Sequence, residues 1–268
     1  HFPRGRIGVM ATEVTLREEK FDLLLHRFDE NCTITKIPAP GLVVFIPYTA
    51  VGDRILCRIV KVQKNHAFGI IEELLEGSPD RVADTGCSAY GRCGGCNWRH
   101  VSYEAECRYK QEWVQDTLCR VGDVTAPVLP LMGGDTPDRY RNKAQFPVAA
   151  GKDGRPLIGF FAPRSHRIVP CKDCKLQPEG YAAVLDAVEA WMVENAVPAY
   201  DEVTHTGLVR HILIRTGFTS GQIMVCVIVN MTKEAWEKKG AARLHTDALI
   251  TALKNVPGMT SISLNFNT

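Results

Sequence analysis

The residues with the clearest chemistry are cysteines. Cys87, Cys93 and Cys96 stand in a C-x5-C-x2-C array that also contains Gly91, Gly94 and Gly95. Glycines let the backbone fold tightly, so three thiolates can face one centre while backbone N–H groups approach the sulfurs. Three ligands on one loop need a fourth from elsewhere, and the later pair Cys171-x2-Cys174 offers two candidates. Two metal chemistries follow. In one, Cys87, Cys93, Cys96 and either Cys171 or Cys174 hold a [4Fe–4S] cluster. In the other, Cys93/Cys96 and Cys171/Cys174 form a four-cysteine zinc ribbon, whose usual signature is paired C-x2-C, and spacing by itself leans that way. Cys107 and Cys119 fall in an expected helix and Cys226 in an apolar strand; all three read as buried thiols rather than nucleophiles.

A second set of residues could carry nucleic acid. Arg139, Arg141 and Lys143 alternate, so in an extended segment they share a face. Arg164 and His166, with Arg167, form another group. Arg210 and Arg215, with His211, form a third. Neutralising phosphate takes several such groups on one surface, and single-stranded RNA also needs stacking faces, for which Tyr140, Phe160 and Phe161 are candidates. The formal net charge of +2 is too small to name a partner, so position decides. The start of the chain has no apolar leader segment and no run nears the ~20 residues of a membrane span. A reducing, cytoplasmic setting is therefore expected, where ten cysteines mean metal or catalysis rather than disulfides.

The elements that must position these groups can be read in order. Residues 15–28 have helical spacing. From Cys32 short branched runs broken by Pro and Gly predict strands at 34–37, 42–46, 54–62 and 67–73, the pattern of a small oligonucleotide-binding barrel. Lys61, Lys64 and His66 lie near its last turn. Gly77-Ser78-Pro79-Asp80 marks a boundary. A helix capped by Ser102 is predicted to about Arg120, with Tyr103, Cys107, Trp113, Val114 and Leu118 inward. Beyond Pro130 strands are predicted at 144–149, 157–161, 211–216, 222–229 and 260–264, and helices at 181–194 and 233–254. The fold class is α+β: an extension (1–30), an OB-like β-barrel (31–76), an α/β central domain bearing the cysteine loop (77–258), and the opening of a further domain (259–268).

The run Cys87-Ser88-Ala89-Tyr90-Gly91-Arg92-Cys93-Gly94-Gly95-Cys96 resembles the cluster-binding segment of the 23S rRNA (uracil-5-)-methyltransferases. The likeness continues through Ser102-Tyr103-Glu104, Arg139-Tyr140-Arg141-Asn142-Lys143, Gly159-Phe160-Phe161, Arg164-Ser165-His166 and Gly207-Leu208-Val209-Arg210-His211, over about residues 32–268. The resemblance implies a TRAM barrel at the front, although the Gly-rich first hairpin common in such domains is missing here. It implies a [4Fe–4S] cluster on Cys87, Cys93, Cys96 and Cys174, the last matching on Cys174-Lys175-Leu176-Gln177 and leaving Cys171 spare. It also implies a monomer acting on a loop or single-stranded uridine of 23S rRNA. The methyl donor would be S-adenosylmethionine, with a cysteine thiolate adding to C6 of uracil so that C5 takes the methyl group. No Gly-rich strand–turn–helix loop follows residues 260–268, so the transfer residues are expected downstream and the chain alone is expected to be inactive. Two readings from other classes remain: a zinc-stabilised RNA-binding module, and a radical S-adenosylmethionine enzyme with a TRAM domain, which would resemble C-x3-C-x2-C instead.

Overall fold

The computed structural model describes residues 6–9, 33–36, 43–64 and 66–268. The helix expected at 15–28 lies outside the described residues. The chain divides into two compact units that interleave in sequence: residues 1–84 with 97–131, and residues 85–96 with 132–268.

In the first unit, strands β1 (Arg6–Val9) and β2 (Thr33–Lys36) form a parallel pair. Strands β3 (Val43–Phe45), β4 (Arg54–Val62) and β5 (His66–Glu76) form a separate sheet with β5 in the centre, antiparallel to β4 and parallel to β3. The expected closed barrel is not formed among the described residues; the three strands make an open sheet. The β4–β5 ladder shifts register three times, between Arg54 and Ile55, Leu56 and Cys57, and Ile59 and Lys61. Each shift adds local twist to the pair. Of the residues at the last turn, Lys61 and Lys64 are exposed, while the His66 ring packs edge-on between Phe45 and Phe68.

This unit is fastened at the start of β4. The Asp53 carboxylate, 2% exposed, accepts from Arg81 Nε at 2.7 Å and Nη2 at 2.6 Å. It also accepts from the backbone N–H of Ala50 (2.6 Å) and Ser78 (2.9 Å), and Arg81 donates onward to the Tyr48 carbonyl. Burial works against the charge on Asp53, but these donors outweigh it and hold the carboxyl down at about 2. Helix α1 (Tyr103–Gly122) begins where expected: the Ser102 side chain accepts from Ala105 N–H and Asp123 closes the helix in the left-handed region. Its inward face is not the expected one. Ala105 and Tyr109 are buried, whereas Trp113 is 70% exposed and Val114, Leu118 and Cys119 are also exposed. The narrow buried stripe follows Tyr109, whose hydroxyl donates to Asp80 at 2.5 Å while its ring lies against Trp98.

The second unit is a six-stranded sheet, ordered β11-β10-β9-β6-β7-β8. The strands are β6 (Lys143–Ala150), β7 (Pro156–Phe161), β8 (Ile168–Pro170), β9 (Val209–Thr216), β10 (Ile223–Val229) and β11 (Met259–Phe266). Neighbours run antiparallel except β10 and β11, which are parallel and joined through helical segments. Alternation buries one side of each strand: Phe146, Ile212, Ile214, Val225 and Val227 meet Tyr181, Val184, Leu185, Val188 and Trp191 of α2 (Gly180–Glu194) and Leu249 and Leu253 of α3 (Thr246–Lys254) in one core. Cys226 points to the other side of β10 and is only half-buried, where the sequence placed it in the core. The single helix expected at 233–254 is broken into a turn at Lys233–Ala235, a π-turn at Trp236–Gly240, Ala241–Leu244 and then α3. His245 takes φ +46° at the break. The carbonyls of Leu244 and His245 accept from the buried indole N–H of Trp191, at 3.0 and 3.3 Å, so a core tryptophan satisfies groups the interrupted helix leaves open.

Candidate metal centre and nucleic-acid interface

All five cysteines of the two motifs lie in the second unit. The 87–96 loop coils through tight turns: Tyr90 N–H donates to the Cys87 carbonyl, and both Arg92 and Cys93 donate to the Ala89 carbonyl. Gly91 takes φ +76°, a left-handed position that a side chain would strain. Gly94 donates to the Phe161 carbonyl at 3.0 Å, tying the loop to the end of β7. A Cβ on Gly94 would stand 3.3 Å from that oxygen and 3.4 Å from Pro163, so the close approach depends on glycine. Cys87, Cys93 and Cys171 pack on the small buried cluster Ala89, Ala162 and Val169. Gly95 N–H points at the Cys93 sulfur from 3.4 Å.

The sulfurs act on one another. Burial pushes the Cys93 thiol up, opposed by the Gly95 N–H and reinforced by Cys174 and Cys87. Cys171 donates its S–H to Cys174, which pushes Cys171 far up and Cys174 down. The N–H groups of Leu176 and Gln177 and the charge of Arg141 add to the lowering at Cys174, against its burial. No three His, Cys, Asp or Glu side chains among the described residues are close enough to grip one metal ion.

The sequence grouped Arg139, Arg141 and Lys143 by alternation, but the structure separates them. Arg139 has φ +58°, which breaks any extended face. Its guanidinium donates to the carbonyls of Cys174 (3.1 Å) and Gln177 (2.8 Å) and pairs with Asp173, so it clamps the loop that carries Cys174. Arg141 lies against Tyr140 and within electrostatic reach of Cys96 and Cys174. Lys143 opens β6, is exposed, and stands directly across from Arg215 on β9. Arg164 sits exposed in the β7–β8 turn at φ +55°. His166 stacks on Phe161 with ring centroids 5.2 Å apart and bonds to Glu202. Arg210 lies 4.3 Å over the Tyr200 ring. The basic residues thus form three groups: two against the cysteines, three around the end of β7 and start of β9, and the Lys143–Arg215 pair. Tyr200 was missed as a site residue, since nothing at residue 200 marks it until β9 brings Arg210 onto its face.

No protein-family model matches the chain. It is 39% identical over 228 residues to an uncharacterized RNA methyltransferase of Halalkalibacterium halodurans, covering 85% of this chain and 48% of that protein. It is 35% identical over 225 residues to an uncharacterized RNA methyltransferase of Clostridium tetani, covering 84% of this chain and 46% of that one. The chain is similar to RNA methyltransferases. It spans about half the length of the curated relatives it matches. In fold it resembles the Pyrococcus abyssi tRNA (uracil-54, C5)-methyltransferase crystallised with S-adenosyl-L-homocysteine, with a TM-score of 0.53 and 21% identity over 71% of this chain and 42% of that one. No helix among the described residues is long and apolar enough to cross a membrane.

Proposed function

We propose that this chain is the RNA-binding and metal-bearing part of an S-adenosylmethionine-dependent methyltransferase that modifies C5 of a uridine in 23S rRNA, and that Cys87, Cys93, Cys96 and Cys174 hold a [4Fe–4S] cluster. The observation that carries the metal reading is that Cys87 and Cys93 of one segment lie within electrostatic reach of Cys171 and Cys174 of a distant one. The donor set fits: it is all sulfur, backbone N–H groups point at Cys93 and Cys174, and Arg141 supplies positive charge beside Cys96 and Cys174. The cluster rather than zinc follows from the sequence resemblance, since paired C-x2-C spacing by itself admits either. Cys174 rather than Cys171 is taken as the fourth ligand from the sequence resemblance, and its loop is held by Arg139 through the Cys174 carbonyl. When bound, the cluster ties the 87–96 loop to the 171–177 loop.

The RNA reading is supported by the relatives named RNA methyltransferases and by the exposed cations Lys143, Arg164 and Arg215. Uracil C5 as the acceptor is supported by the sequence resemblance and agrees with the name of the archaeal tRNA (uracil-54, C5)-methyltransferase of like fold. Transfer itself is assigned to the half of the relatives that this chain does not match. The open sheet of the first unit serves as an accessory RNA surface.

The test is metal analysis of anaerobically purified protein. Iron and sulfide in equal amounts, with broad absorption near ~400 nm, are expected. Stoichiometric zinc without iron, in protein never exposed to oxygen, would replace the cluster with the zinc-ribbon reading.

A further inference from the structure

Strand β6 changes partners along its length. From Lys143 to Pro147 it pairs with β9, and from Val148 to Ala150 it pairs with β7. Pro147 has no N–H to continue the first ladder. Beyond it, β9 pairs instead with the chain at 199–200, where Ala199 bridges Val209 and Tyr200 N–H donates to the Val209 carbonyl. The sheet forks, and the fork holds a cavity of about 430 Å³. That is within the usual range for small-ligand sites, roughly 300–1,000 Å³.

The walls of this cavity are flat. Phe161, with His166 stacked on it, and Tyr200, with the Arg210 guanidinium over its ring, both line it. His211 lines the same space from β9, and neither of its ring nitrogens has a hydrogen-bond partner among the described residues. Arg210 spends one Nη on the Asn267 carbonyl.

The charge in the cavity argues against phosphate as its occupant. Asp201 and Glu202 also line it. Asp201 is committed to the N–H groups of Val203 and Thr204, and Glu202 to His166, but both carry negative charge next to the space. Burial, with Arg210 alongside and against the pull of Glu202, holds the His211 imidazole below its ordinary range. A flat, uncharged ring with polar edges fits such a lining; a dianion does not.

We infer that the fork between β6 and β9 is a pocket for one unpaired nucleobase of the RNA, stacked on the aromatic lining that includes Phe161 and hydrogen-bonded at its edge by His211. This rests on the RNA-binding reading above and deepens it: the pocket selects single-stranded over duplex RNA by a stacked base. Phe161 also joins the two sites, since its ring lines the pocket and its carbonyl accepts from Gly94 of the cysteine loop.

The test uses the full 268-residue chain and a fluorescent oligouridylate of about ten nucleotides, long enough to span one binding groove, with a blunt RNA duplex beside it. Phe161→Ala and His211→Ala are each expected to weaken single-strand binding about tenfold, the scale of one lost base stack, without changing the salt slope. Phe161→Trp should keep the affinity, and duplex binding should be unaffected by all three. Melting curves establish that each variant is folded; if Phe161→Ala is not, His211→Ala decides. Unchanged single-strand affinity in the folded variants would overturn the pocket and leave the RNA reading standing, provided Lys143→Ala with Arg215→Ala still weakens binding. Weaker binding with a flattened salt slope would mean the fork holds phosphate, which also overturns the inference. A wild-type chain that binds neither RNA at low salt would bring down both readings together.

Discussion

Among single residues, fixed charges in this protein are mostly committed to holding loops in place. Asp53 shows this most clearly. Its folded carboxyl lies at about 2, below its ordinary value of 3.8, so it contributes stability that is complete above about pH 4 and is lost as pH falls through 2. The shift corresponds to about 2 kcal/mol, and acid titration of unfolding free energy should show that loss in the native chain and not in Asp53→Asn. Arg81→Ala removes the partner of a buried carboxylate and should cost about 3–5 kcal/mol in urea unfolding. Arg139 is the same kind of residue on the loop that carries Cys174. Arg139→Ala should release metal from the 171–177 loop more readily, and should leave the salt slope of RNA binding unchanged. Cys87→Ser, Cys93→Ser, Cys96→Ser and Cys174→Ser should each lose iron, while Cys171→Ser should keep it; equal loss at Cys171 and Cys174 would contradict the ligand assignment. The cysteine spacing was legible in the sequence because ligands on one loop leave a local signature. Alternation of Arg139, Arg141 and Lys143 misled, because a left-handed backbone at Arg139 cannot be read from its neighbours.

Among the strands and helices, period-two alternation located the strands of the second unit well. β6, β7, β9, β10 and β11 stand within a residue or two of expectation because each has one buried face. The three-residue β8 was too short to leave a pattern. The helix expected at 233–254 failed at His245, where the demand of Trp191 for two carbonyls overrides helical continuity. Helix α1 was located correctly, but its inward face was misjudged, since apolar spacing predicts a stripe and not which part of it is covered. The closed barrel was an inference from strand count, and strand count does not fix closure. Two tight approaches make testable demands. A Cβ at Gly159 would meet the Val169 carbonyl at 2.0 Å, across β7 and β8, and one at Gly207 (φ +90°) would meet the Ala199 carbonyl at 1.9 Å. Either change to Ala should cost about 2–4 kcal/mol by thermal or urea unfolding. Ser102→Ala, which removes only a cap, should cost about 1 kcal/mol.

Across the molecule as a whole, the two units interleave, so the segment bearing three of the cysteines belongs with the second unit while the helix that follows it belongs with the first. A linear reading of the sequence has no signal for such exchange. The proposed RNA surface is likewise a property of the assembled sheet: Lys143 and Arg215 are far apart in sequence and become neighbours only through the β6–β9 ladder. Their joint replacement by Ala should flatten the salt dependence of RNA binding by about one to two units of slope. The central claim is that this chain serves a methyltransferase acting on C5 of a uridine in 23S rRNA, and the direct measurement is a map of 5-methyluridine by mass spectrometry in 23S rRNA and tRNA from cells with and without the gene. The account expects one 5-methyluridine to disappear from 23S rRNA and to return when the gene is restored, with tRNA unchanged. An intact 23S pattern alongside a loss in tRNA, or no loss in either RNA, would contradict it.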